Sequence, residues 1–134
     1  MAADTSRDAL IEAAREVAEH AHAPYSRFRV GAAVRTADGR VFTGCNVENA
    51  AYGSTVCAEV NAITTAVAAG ATDLEEIAVT ALDGGDVFPC GNCRQVMREF
   101  RIETLVVDAG AGPTVHTLSE VLPYSFGPED LLGD

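Results

Sequence analysis

In DTSRDALIEAAREVAEHAHAPYS, apolar Leu10, Ala14, Val17, Ala18 and Ala21 fall on one face at helical spacing and predict a first helix. Thr5 or Ser6 supplies its cap, Asp8 sits in the favourable first turn, and Pro24 marks its end. FRVGAAVRT then alternates loosely as a strand, ADGR makes a tight Asp-Gly turn, and VFTGCNV returns antiparallel to it. After the loop ENAAYGST, VCAEVNAITTAVAAG predicts a second helix, apolar nearly all round and therefore buried, closed by Gly70. LEEIAVTAL is a strand and DGGDVF a loop. PCGNCRQVMREF opens a third helix with Pro89 at or near its first position. TLVVDA is a further strand, GPTVHTLSEVLP a fifth short strand with a helical turn, and YSFGPEDLLGD a tail. Strands alternating with helices, without a linker or repeat, predict one α/β domain over residues 1–134. Its expected form is a three-layer α/β/α sandwich on a mixed sheet of about five strands.

Composition narrows the class. Hydrophobic residues make up 48% and charged residues 22% of 134 positions, which is globular. No apolar run reaches the length of a membrane span. The opening MAADTSRDAL carries acids and lacks an apolar centre, which argues against a signal peptide and for a cytoplasmic protein without membrane partners. The net charge is -11, and every base is arginine. Such a surface repels phosphate backbones, so a polynucleotide partner is disfavoured. Adaptation to a salt-rich cytoplasm and the drift of a GC-rich genome both fit this balance.

Four cysteines carry the candidate chemistry: Cys45, Cys57, Cys90 and Cys93. In a cytoplasmic setting they point to metal or redox roles rather than disulfides. Cys90 and Cys93, three apart at a helix start, present both sulfurs on one side of the first turn, where thiolate is favoured. Cys57 also opens a helix, with Glu59 two positions on. Two such helix starts facing each other at a sheet edge would hold a tetrahedral Zn²⁺ by three thiolates and leave its fourth position open to water. A carboxylate beside that water, and not on the metal, is what proton shuttling requires. Two alternatives stand beside this: a redox Cys-x-x-Cys pair, and a structural four-cysteine zinc that includes Cys45. The first would need no upstream Cys-Ala-Glu. Cys45, at a strand end, also reads as a small buried hydrophobe.

CAE at Cys57–Glu59 with PCGNCRQ at Pro89–Gln95 resembles the zinc nucleoside deaminases. PYSRFRVGAAV, GCNVENAAYG and LPYSFGPEDL resemble the small homotetrameric cytidine deaminases, from about Tyr25 to Leu131. The resemblance implies one zinc per subunit on Cys57, Cys90 and Cys93, with Glu59 as general acid and base. It implies ribose contacts from Asn46 and Glu48, mainly to the 3′-hydroxyl, with Phe28 stacking near the pyrimidine and Ala58 beside the substrate. Tyr52 and Phe126 match positions that help build active sites across subunit boundaries. The implied activity is hydrolytic deamination of cytidine and 2′-deoxycytidine in pyrimidine salvage, in a homotetramer with no nucleic-acid partner.

Val60 departs from the pattern, since most three-cysteine members carry arginine directly after the glutamate. Three thiolates on Zn²⁺ leave a net negative charge. Arg94, the two helix starts and Asn61 are the candidates to offset it. Blasticidin-S deaminases share an aliphatic residue there but lack NVEN. A small-base deaminase of that type, a non-catalytic four-cysteine zinc module and a polynucleotide editor are the rival functions.

Overall fold

The computed structural model describes residues 6–133. Helix α1 (Arg7–Ala18) leads into strands β1 (Val30–Thr36) and β2 (Val41–Cys45), then helix α2 (Ala58–Ala68). Strand β3 (Leu74–Ala81), helix α3 (Gly91–Glu99), strands β4 (Thr104–Asp108) and β5 (Pro113–Thr117), and short helices α4 (Leu118–Val121) and α5 (Pro128–Leu132) follow. The sheet order is β2-β1-β3-β4-β5, parallel only between β3 and β4. This is the predicted mixed five-stranded sheet in a three-layer sandwich. Among the described residues no helix is long and apolar enough to cross a membrane.

The central strands bury both faces, which is why they read as nearly continuous apolar runs. Val30, Ala32, Val34, Ile77, Val79, Leu105 and Val107 pack with Ala62, Ile63 and Ala66 of α2 and Met97 of α3. Ala33, Ala78 and Val106 look the other way, onto Leu10, Ile11 and Ala14 of α1. Two glycines let the helices sit this close. A Cβ on Gly31 would lie 1.9 Å from the Ala14 carbonyl oxygen, and one on Gly44 would lie 2.3 Å from the Ala62 nitrogen. Because the obstacle at Gly44 is helix backbone, Gly44→Ala is expected to push α2 off the sheet. A loss of about 1–3 kcal/mol or more in urea unfolding, the usual scale for overpacking, is the expected outcome. An unchanged midpoint would show that α2 has room to move.

The first helix ends earlier than Pro24. Ser6 caps it by accepting the Ala9 N–H at 3.2 Å, and Glu19 closes it; Thr5, the other candidate cap, lies outside the described residues. The chain leaves the helix because His22 is claimed by another partner: its N–H donates to Asn46 O (3.0 Å) and its C=O accepts from Glu48 N (2.8 Å). Ala21 therefore lies beyond the helix, and Ile11 joins the buried face in place of Val17. Helix α2 is buried on one face only, through Ala58, Glu59, Ala62, Ile63 and Ala66, whereas Thr64, Val67 and Ala68 are exposed. Its apolar character all round exceeds what the sheet covers. Pro89 stands just outside α3, whose N-cap is Cys90.

The predicted tail contains α5, with Pro128 at its start, anchored on α3. Arg98 donates to Ser125 Oγ (2.9 Å) and Glu129 Oε2 (2.7 Å), Arg101 to Glu129 Oε1 (2.8 Å), and Gln95 to Phe126 O (2.8 Å). Arg98 foremost, with the backbone N–H and Arg101, holds the Glu129 carboxyl down at about 2. A carboxyl depressed on folding stabilises fully above its ordinary value of 4.5, and that contribution drains away as pH falls from 4.5 toward 2. Acidification through this window is expected to loosen residues 125–132 before the sheet. Amide hydrogen exchange reads this directly; protection at 125–132 that persists to pH 2 would contradict it.

Candidate active site

Two chain segments reach one edge of the sheet as helix N-termini. Cys57 is the N-cap of α2 and Cys90 that of α3, and neither side chain caps its own helix. The sulfurs are thereby left for each other. Cys57 Sγ lies 3.9 Å from Cys90 Sγ, and Cys90 Sγ lies 3.5 Å from Cys93 Sγ. All three fall within 4.8 Å of one another, Cys93 buried and Cys90 exposed. Zinc–thiolate bonds of about 2.3 Å in a tetrahedron put sulfurs about 3.8 Å apart, so the donor set and its spacing fit Zn²⁺ with three protein ligands. Cys45, half-buried at the end of β2, is not part of this cluster. Hydrogen bonds from Cys93 and then Cys90 hold the Cys57 thiol below its ordinary range, and the Cys93 thiol is pushed up by the same exchange. Helix N-termini favour thiolate in the same sense.

Glu59 sits in the first turn of α2, only 4% exposed. Burial pushes its carboxyl up to about 7, with negative charge on Cys57 adding to the rise and its own backbone N–H opposing it. A carboxyl poised near neutrality beside Cys57 and Cys93 can both accept and release a proton. Ala58, between them, is fully buried.

Tyr25, Ser26, Glu48, Tyr52 and Thr55 line a cleft of about 430 Å³. Glu48 accepts from Tyr25 N (3.0 Å), Ser26 N (3.2 Å) and the Ser26 hydroxyl. Asn46 lies two residues back; its Nδ2 donates to Phe28 O (2.8 Å) and its Oδ1 accepts from Val30 N (2.9 Å). So Phe28, Asn46 and Glu48 are brought into one hydrogen-bonded group. Tyr52 is 76% exposed and meets Tyr25 edge-on, with ring centroids 6.2 Å apart. Phe126 is 58% exposed and lines a different cleft, with Gln95, Glu99 and α5. Neither aromatic is core. Ser26, Tyr25 and Thr55 were not among the sequence candidates; PYS, within the stretch that carries the resemblance, was the available signal for the first two.

Arg94 donates to two carbonyls, Pro89 O and Val121 O, both at 2.7 Å. Asn61 donates to Cys45 O at 2.8 Å. These bonds run to backbone, not to sulfur. Arg94 ties the turn before Cys90 to α4, and Asn61 ties α2 to the end of β2.

The family model for the cytidine and deoxycytidylate deaminase zinc-binding region matches residues 4–109. Among curated proteins, the cytidine deaminase of Mycobacterium tuberculosis (strain ATCC 25618 / H37Rv) is 43% identical over 118 residues, covering 88% of this chain and 87% of the relative. That of Halalkalibacterium halodurans is 44% identical over 128 residues, covering 93% and 97%. The crystal structure of the cytidine deaminase from Burkholderia pseudomallei superposes with a TM-score of 0.84 at 45% identity, over 90% of this chain and 99% of that one.

Proposed function

The chain belongs to the cytidine and deoxycytidylate deaminase family, and from that premise we propose that it hydrolyses cytidine and 2′-deoxycytidine to uridine and 2′-deoxyuridine with release of ammonia. Cys57, Cys90 and Cys93 would hold one zinc per subunit. When bound, that zinc supplies Lewis acidity, which lowers the pKa of a water toward about 7. Glu59 takes a proton from the attacking water and delivers it to N3 of the cytosine ring as the water oxygen adds to C4. It then carries a second proton to the departing amino group, so water is consumed and ammonia leaves.

Asn46 and Glu48 would hold the ribose. A carboxylate offers about four acceptor sites; three on Glu48 are filled from residues 25 and 26, which leaves one for a sugar hydroxyl. Asn46 likewise retains one N–H beyond its bond to Phe28. Phe28 would stack near the pyrimidine ring, with Ala58 beside the substrate. Binding energy at the sugar, remote from C4, can be used to orient the ring. This pair favours a nucleoside over a free base or a blasticidin-type substrate.

The chain acts as one domain in a cytoplasmic salvage enzyme. The exposed Tyr52, Phe126, Leu131 and Leu132, with exposed Val67 on α2, support a homotetramer in which neighbours cover these side chains.

The observation that carries this reading is the sulfur triangle with buried Glu59 at its side. Its test is zinc content together with ammonia release from cytidine, 2′-deoxycytidine, cytosine, blasticidin S and a cytosine-containing oligonucleotide. Release from cytidine and deoxycytidine alone is expected. A zinc-loaded protein inert toward both nucleosides would overturn it.

A further inference from the structure

We propose that Ser26 is a positioning residue for the sugar-binding end of this site, a role that rests on the nucleoside reading above: its single hydroxyl sets both the Glu48 carboxylate and the backbone that carries Phe28. The hydroxyl has one hydrogen, and it goes to Glu48 Oε2. Its oxygen is then left as an acceptor, and the Phe28 N–H donates to it at 3.0 Å. The direction of both bonds is thereby fixed. On its other side Phe28 is held through its carbonyl by Asn46 Nδ2 at 2.8 Å. The residue that stacks on the base and the residue that receives the sugar are therefore linked through one oxygen atom.

Arg27 makes this link possible. Its φ of 59° is left-handed, a region that side chains other than glycine rarely occupy. That reversal returns the Phe28 N–H to the side chain two residues earlier, a turn that serine supports by accepting from the backbone. The Ser26 hydroxyl is also the leading reason why the Glu48 carboxyl lies below its ordinary range. Residues 24–28 are exposed, so water can satisfy Glu48 and the Phe28 N–H if the hydroxyl is removed. Loss of Ser26 should then disturb geometry far more than stability.

The test is steady-state deamination by zinc-loaded wild type, Ser26→Ala, Ser26→Thr, Glu48→Ala and the Ser26→Ala/Glu48→Ala pair. Ser26→Ala is expected to raise KM for cytidine about 10-fold, within the range of coupling between contacting residues, with kcat within about 3-fold. Ser26→Thr, which keeps the hydroxyl, should restore KM to within about 2-fold. In the Glu48→Ala background the Ser26→Ala effect should shrink to less than about a third. A Ser26→Ala KM within about 2-fold of wild type, or an equal effect with and without Glu48, overturns the Ser26 assignment alone. A zinc-loaded wild type inert toward cytidine overturns the nucleoside reading and Ser26 with it. Should Ser26→Ala not fold, Ser26→Cys, near-isosteric and a weaker donor, carries the same comparison with KM raised about 3-fold.

Discussion

Glu59→Gln is expected to keep its zinc and its fold while kcat for cytidine falls by about 10²- to 10⁴-fold, the usual contribution of a positioned acid–base group. The amide matches the carboxyl in shape but cannot carry a proton between water, N3 and the leaving amine. Glu59 is 4% exposed and costly to hold charged, as its rise to about 7 records. Replacing it removes a buried ionisable group without opening a cavity, so the thermal midpoint should hold or rise. Zinc analysis, ammonia release and a melting curve on one preparation separate the outcomes. Full turnover in Glu59→Gln would remove this side chain from the chemistry. A drop in melting temperature matching the loss of activity would make its role structural.

Val60 leaves the charge balance at the sulfurs to backbone. Arg94 and Asn61 direct their hydrogen bonds to the carbonyls of Pro89, Val121 and Cys45. What converges on the cluster is a pair of helix N-termini, with Cys57 and Cys90 as their caps. Each N-terminus carries roughly half a positive charge, so two of them are comparable in size to the single negative charge of a zinc with three thiolates. Arg94 contributes by fixing where one of these helices begins.

Much of this arrangement was legible in the sequence because short-range chemistry wrote it. Apolar runs bounded by turn and loop residues placed β1 to β5, helical spacing, Gly70 and Pro89 placed α1 to α3, and Asp38-Gly39 placed the first hairpin. Cys57, Glu59, Cys90 and Cys93 stood out because thiolates and a carboxylate at two helix starts have few structural uses. What stayed hidden depends on partners distant in sequence. The end of α1 is decided by backbone bonds from His22 to Asn46 and Glu48, which no local propensity encodes. The open face of α2 was invisible because periodicity reports apolarity and not which neighbour covers it. Ser26 was missed for a related reason: its importance lies in joining Glu48 to Phe28, and a serine beside a proline turn ordinarily marks only the turn.

Cys90→Ala is the substitution expected to do the most to the metal. Cys90 is exposed, so its loss opens no cavity and any effect is read as loss of a ligand rather than of packing. Cys93, fully buried, would confound the two. Removing an outer partner of a metal ligand typically lowers metal affinity 10- to 100-fold, and removing a ligand from a set of three should exceed about 100-fold. Purified Cys90→Ala is then expected to contain well under one zinc per chain and to release no ammonia from cytidine above background. Because zinc binds the folded state and stabilises it, a chelator should lower the melting temperature of wild type and leave that of Cys90→Ala unmoved. Cys45→Ser is the internal control, since Cys45 lies outside the sulfur cluster: zinc content, chelator response and turnover should all match wild type. A Cys90→Ala protein that retains one zinc would remove Cys90 from the metal site, and a Cys45→Ser protein that loses its zinc would favour the four-cysteine module instead.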